Sequence, residues 1–134
     1  MMEFMLDTNI CIYIAHRKAP IVVSRFAELA HGDACISLVT YAELCWGAYN
    51  SNAKAAALAK LDEFIAGAPV LPMRENVGPV YGEIRHYLKR KGTPIGNNDL
   101  WIAAHALAEN LTIITNNDRE FKRIPKLKVE NWTK

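Results

Sequence analysis

Asp7, Glu43, Asp99 and the pair Asn117-Asp118 lie far apart along a chain of 134 residues. Each stands at the end of an apolar run. Asp7 follows Glu3-Phe4-Met5-Leu6, and Glu43 falls just after Cys35-Ile36-Ser37-Leu38-Val39. Asp99 heads Leu100–Ala108, and Asn117-Asp118 follow Leu111-Thr112-Ile113-Ile114-Thr115. Each also admits an ordinary explanation. Thr40-Tyr41-Ala42-Glu43 reads as a capping box, and Asp7, Asp99 and Asp118 could cap helices or complement their dipoles. Capping does not demand such apolar flanks, however. Carboxylates gathered in a low-dielectric pocket repel one another, and their pKa values rise unless a cation holds them. Oxygen ligands without His or Cys favour Mg²⁺ or Mn²⁺, ions suited to opening phosphate esters.

The elements that would position these groups follow from patterning. Phe4–Leu6 reads as a buried strand and Ile10–His16 as a helix. Pro20 opens a second helix that should run to Gly32; Cys35–Val39 is a strand, with a helix from Thr40 toward Tyr49. The Ala-rich stretch 53–66 is helical, and Val70–Met73 is a weak strand, with Pro72 confined to a sheet edge or to the strand's own end. Asn76–Lys91 repeats at a helical period, 92–98 is a loop, and Leu100–Ala108 is a core helix. Leu111–Thr115 is a strand, 116–118 a turn, and Arg119–Arg123 a short helix before a last strand near Leu127–Val129. Alternation of this kind implies an α/β fold in three layers, α/β/α, around a central, mainly parallel five-stranded sheet. Ligands bind such sheets outside the carboxyl ends of the strands, which is where the acidic residues fall.

Composition sets the limits. A chain that is 51% hydrophobic and 22% charged is neither disordered nor low in complexity, and its length suits one domain, residues 1–134. No stretch reaches the roughly 18 apolar residues of a membrane span. The acidic start, with Glu3 and Asp7, is unlike a signal peptide, so a cytoplasmic protein is expected. Three cysteines in apolar runs, Cys11, Cys35 and Cys45, read as buried thiols. The net charge of +2 hides an asymmetry. Residues 1–84 carry six basic and nine acidic side chains, whereas residues 85–134 carry ten basic and five acidic.

Four segments in order, Leu6-Asp7-Thr8-Asn9, Tyr41-Ala42-Glu43-Leu44, Pro94-Ile95-Gly96-Asn97-Asn98-Asp99 and Thr115-Asn116-Asn117-Asp118-Arg119-Glu120-Phe121, resemble the motifs of PIN-domain ribonucleases. The match is nearest to the VapC toxins of bacterial VapBC toxin–antitoxin pairs and spans essentially the whole chain. The resemblance implies a Mg²⁺- or Mn²⁺-dependent endoribonuclease that arrests translation. Its substrate would be RNA, tRNA in particular; relatives in enteric-type bacteria point to the anticodon stem-loop of initiator tRNA. Asp7, Glu43 and Asp99 correspond to the family's acidic metal-binding and catalytic set. The fourth position falls at Asn117, where many relatives carry Asp, and Asp118 beside it is the alternative metal ligand. Thr8, Asn9 and Asn98 are candidates to support these groups. The resemblance also implies a VapB-type antitoxin as partner, homodimers and toxin–antitoxin hetero-oligomers, with promoter DNA contacted by the antitoxin alone.

The basic residues then read as a track for RNA: Arg85, Lys89, Arg90 and Lys91 on one helix, and Arg119 after the fourth motif, although a solvated face gives the same pattern. Trp46, Trp101, Tyr41 and His105 are expected in the core. Competing readings are a non-catalytic PIN scaffold, a receiver domain and a flap-endonuclease relative. A receiver needs a Lys where this chain has Thr115-Asn116-Asn117, and the chain lacks the extra helices a flap endonuclease uses to grip duplex ends.

Overall fold

The structure, a computed structural model, describes residues 2–134. Along the chain run β1 (Phe4–Leu6), α1 (Thr8–Ala15), α2 (Pro20–Ala27), β2 (Ala34–Ser37), α3 (Leu38–Tyr49), α4 (Lys54–Gly67) and β3 (Val70–Leu71). There follow α5 (Val77–Lys91), α6 (Asn97–Ala108), β4 (Thr112–Ile114), α7 (Asp118–Phe121) and β5 (Val129–Glu130). The sheet has the order β3-β2-β1-β4-β5, and every pairing in it is parallel.

Register explains the layers. Met5 pairs with Cys35 and Ile113, and one residue later Leu6 pairs with Ile36 and Ile114. Successive side chains of a strand point to opposite faces. The first trio therefore packs beneath α5 and α6, with Ile84, Leu88, Ile102 and Ala103, while the second packs beneath α1, α2 and α4, with Ile10, Ile14, Val22 and Phe64. Helix α3 belongs to neither layer alone. Its Val39 joins the first cluster and its Tyr41 and Leu44 the second, so it lies across the carboxyl edge of the sheet. The strand order reverses direction at β1, between β2 and β4, which is where this fold class opens a crevice.

Several boundaries differ from those read in the sequence. Helix α2 stops at Ala27, well short of Gly32. The apolar run 35–39 is not one strand. Ser37 ends β2, its Oγ accepts from the Val39 amide at 3.2 Å, and the helix begins at Leu38. Thr40 is thus a fully buried residue inside α3, and the capping box proposed for it does not form. Ser37 also meets Nδ1 of the fully buried His105 at 2.9 Å, and burial holds that imidazole below its ordinary pKa. Asn97 and Asn98, read as loop, form the first turn of α6. Trp46 is 68% exposed, not core, and lies on the outer side of α3 with Leu38 and Tyr49. The cysteines are unpaired, with Cys11 and Cys35 buried as expected.

Because Ser37 both caps α3 and meets Nδ1 of His105, Ser37→Ala should lower stability by about 1–3 kcal/mol, read as a fall in thermal midpoint. His105 adds a pH signature. Its folded pKa lies below its unfolded value near 6.5. The stability it contributes is intact above that pH and is lost as pH falls toward the folded value.

Candidate active site

Asp7 sits at the carboxyl end of β1, where its amide donates to the Ile114 carbonyl of the adjacent strand at 2.9 Å. It is 4% exposed. Its Oδ1 caps α1 by accepting from the Ile10 amide at 2.9 Å, so the ordinary reading of this residue holds. It is also incomplete. Burial pushes the Asp7 carboxyl up to about 6; hydrogen bonds from Thr115 and Ile10 work against that rise, and the charges of Asp99 and Glu43 add to it. Four separate segments thus meet at one carboxylate. A helix cap needs none of the other acids.

Asp99 is the third residue of α6 and is half-buried. Its carboxyl is raised by burial, then by the charge of Glu120, then by that of Glu43. Glu43 is held at both oxygens: Thr8 Oγ1 donates to Oε1 at 2.5 Å and Asn98 Nδ2 donates to Oε2 at 3.2 Å. With its proton on Glu43, Thr8 Oγ1 accepts from the Thr40 hydroxyl 3.4 Å away. Asn9 is exposed on α1, with no side-chain hydrogen bond found for it.

The fourth motif resolves differently from either alternative read in the sequence. Asp118 turns away from the other acids. It accepts from Asn131 at 3.1 Å and pairs with Lys122 and Lys134, each at 3.5 Å, and these contacts, Asn131 first, hold its carboxyl below the usual range. Without an ion, the oxygens of Asp118 are engaged by Asn131, Lys122 and Lys134. Asn117 faces inward, its Nδ2 donating to Oε2 of Glu120 and its amide donating to the Thr115 hydroxyl at 2.8 Å. Glu120, passed over in the sequence, is the acid that bears on Asp99. Asn117 and Glu120 are three residues apart and so share one side of a helical turn, while Asp118 lies about 100° away. That spacing was visible in the sequence.

The donor set is oxygen throughout. Cys11, the nearest thiol, is kept protonated by burial and by the Asp7 charge, its pKa well above 9. Among the described residues no three His, Cys, Asp or Glu side chains converge tightly enough to hold an ion by themselves. The acids lie within electrostatic reach of one another, with Thr8 and Asn98 bonded to Glu43 and Asn117 to Glu120. Such an arrangement suits a small hard cation that keeps several of its own waters, and does not suit zinc.

The basic residues read as an RNA track are all on the surface. Arg85, Lys89, Arg90 and Lys91 are exposed on the last turns of α5, and Arg119 is exposed on α7. Arg123 donates to the Pro94 carbonyl at 3.0 Å, tying the segment after α7 to the loop after α5. An apolar groove of about 280 Å³ opens on the other side, between α1, α3 and α4, with Thr8 and Glu43 at one end and Leu44, Leu61 and Phe64 along it.

Comparison with known proteins agrees with this architecture. The PIN domain family matches residues 4–127. "Ribonuclease VapC2" of Rickettsia felis is 43% identical over 134 residues, covering 99% of this chain and all of its own. "tRNA(fMet)-specific endonuclease VapC" of Salmonella typhimurium is 42% identical, covering 98% and 99%. The structure of a DNA-bound VapBC complex from Salmonella typhimurium contains a chain that superposes with a TM-score of 0.92 at 42% identity, covering 98% of this chain and 99% of that one. With the acidic crevice at the carboxyl edge of the sheet and likeness over the full length, this chain belongs to the PIN-domain family and, within it, to the VapC ribonucleases.

Proposed function

We propose that this chain is a Mg²⁺- or Mn²⁺-dependent endoribonuclease toxin that cuts tRNA, specifically initiator tRNA in its anticodon stem-loop, and is silenced by a VapB-type antitoxin. The observation that carries the proposal is the burial of Asp7 beside the charges of Asp99 and Glu43. A protein that only needed to fold would not keep three acids in mutual repulsion at a crevice. The names of full-length relatives support RNA, and tRNA(fMet) in particular, as the substrate class.

A hard divalent cation, when bound, neutralises charge on the phosphate and leaving oxygen and lowers the pKa of a coordinated water. The rest falls to the chain. Asp7 and Asp99 are the residues that would hold the cation, through their carboxylate oxygens. Thr8 and Asn98 fix both oxygens of Glu43, so that one of them can orient the attacking water and take its proton. Asn117 holds Glu120 where its charge bears on Asp99. In-line attack at phosphorus breaks the bond to the 3′-oxygen, leaving 5′-phosphate and 3′-hydroxyl ends. Arg85, Lys89, Arg90, Lys91 and Arg119 hold the backbone, so affinity should fall steeply with salt, and each lost phosphate contact should reduce the logarithmic slope by about one.

The antitoxin fits the groove that ends at Thr8 and Glu43. Its apolar walls accept a helical or extended segment, and a basic side chain at the end of that segment would relieve the same repulsion as the cation. Solved relatives are VapBC complexes, some of them bound to DNA. In this chain's assemblies DNA contact belongs to the antitoxin, and the toxin subunits pair as homodimers.

The test is purified protein on tRNA, mRNA and DNA of matched length, with Mg²⁺ or with chelator. Cleavage of one tRNA at one position, dependent on the cation, is the expected outcome. RNA binding that ignores both cation and Asp7→Asn would instead identify a non-catalytic scaffold.

A further inference from the structure

A second concavity, of about 340 Å³, lies between the end of α5 and the start of α6. Its floor is apolar: Leu88 is 2% exposed, and Pro94 and Ile95 line it beside Asn97. Its rim carries Arg85 and Lys89, one turn apart on α5. Among the described residues, Arg25 pairs with Glu130, Arg74 with Glu109, and Lys122 and Lys134 with Asp118. Arg85 and Lys89 have no carboxylate partner among the described residues.

Nor is Arg85 a loose surface charge. Its Nη1 donates to the Tyr81 hydroxyl at 2.8 Å, and that hydroxyl donates to Oδ1 of Asn97 at 3.1 Å. The Tyr81 ring stacks on Trp101 with centroids 3.9 Å apart and planes 20° apart. An aromatic pair thus anchors a relay that aims a guanidinium at the pocket mouth and leaves the Asn97 amide nitrogen free to donate. The loop carrying Pro94 is pinned from outside by Arg123. Asn97 is followed directly by Asn98, which holds Glu43, and then by Asp99. An apolar lining, one donor for a base edge and two cations without a carboxylate partner together match the chemistry of a single unpaired nucleotide.

We propose that this pocket is a nucleotide subsite. It would hold one unpaired nucleotide of the RNA beside the scissile phosphate, with the base against Leu88, Pro94 and Ile95 and its phosphate on Arg85 and Lys89. This rests on the ribonuclease reading and deepens it: the cations of α5 form a shaped site rather than a diffuse track. Sequence preference next to the cut then comes from the pocket. Burying about 60 Å² of a base against aliphatic side chains is worth about tenfold in affinity.

The test uses the full chain and an RNA stem-loop bearing 2-aminopurine at successive loop positions, first in chelator to read binding and then with Mg²⁺ to read cleavage. At one loop position the probe's fluorescence should change on binding, and an abasic nucleotide at that position should raise KM about tenfold. Arg85→Ala should abolish both effects while leaving the thermal midpoint unchanged. Arg85→Lys should restore the salt dependence of binding but not the position-specific signal, because an ammonium cannot take the planar contacts to Tyr81 and phosphate. Cleavage in which all positions respond alike, or in which Arg85→Lys behaves as wild type throughout, would overturn the subsite and leave the ribonuclease reading intact. A position-specific signal lost in Arg85→Ala, but without any cleavage, would keep the subsite and remove the ribonuclease.

Discussion

Asp7→Asn should reduce RNA cleavage by at least about 10³-fold, in keeping with the loss of charge stabilisation at a phosphoryl-transfer site, and should at the same time make the metal-free protein more stable. The two effects share one cause. The wild-type carboxyl, buried at the end of β1, is pushed up to about 6 by burial and by the acids beside it. A folded-state pKa above the unfolded one favours the fold only while the group is protonated. That contribution is complete below the unfolded value of 3.8 and is lost as pH rises through about 6. At pH 8 the ionised carboxyl therefore costs the fold roughly 3 kcal/mol, or about 10 °C in thermal midpoint for a domain of this size. Asn keeps an oxygen to accept from the Ile10 amide and removes the charge. The difference in midpoint between Asp7→Asn and wild type, measured without divalent ions, should be largest at pH 7–8 and shrink through pH 6 toward pH 4. Wild-type midpoints that match the variant's at every pH would show that Asp7 carries no such strain.

Removing divalent cations should have an equally large effect on activity, taking cleavage to background, with Mg²⁺ or Mn²⁺ restoring it. The stability readout runs opposite to that of the substitution. At pH 8 either ion should raise the midpoint of the wild-type protein by binding only the folded form, and should leave Asp7→Asn unmoved. Full cleavage in strong chelator would contradict the assignment of the acids.

How much of this was legible in the sequence depended on the length of the signal. Runs such as Phe4–Leu6 and Thr112–Ile114 are buried on both faces and read plainly as parallel strands, and their alternation with helices implied the layered fold. Asp7, Glu43 and Asp99 could be placed at the carboxyl edge because strand ends are well marked. Short, competing signals failed. Leu38 and Val39 look like a continuation of β2, yet the Ser37 hydroxyl captures the Val39 amide and starts a helix there. The four residues of α7 are too few for periodicity to single out Glu120, whose bond to Asn117 appears only in the structure. Trp46 looked like core because apolar residues surround it, but α3 crosses the sheet edge and leaves that side uncovered. Contacts between distant segments, such as Arg85 through Tyr81 to Asn97, have no local signature at all.

Calorimetric titration of Mn²⁺ into the metal-free chain at pH 7.5 is the most direct measurement, made in parallel on wild type, Asp7→Asn and Asp99→Asn. A saturable site in the wild type, weakened at least tenfold in both variants, is the expected result. Equal binding by all three proteins, or no binding to wild type under conditions in which it cuts RNA, would mean that these acids do not share an ion.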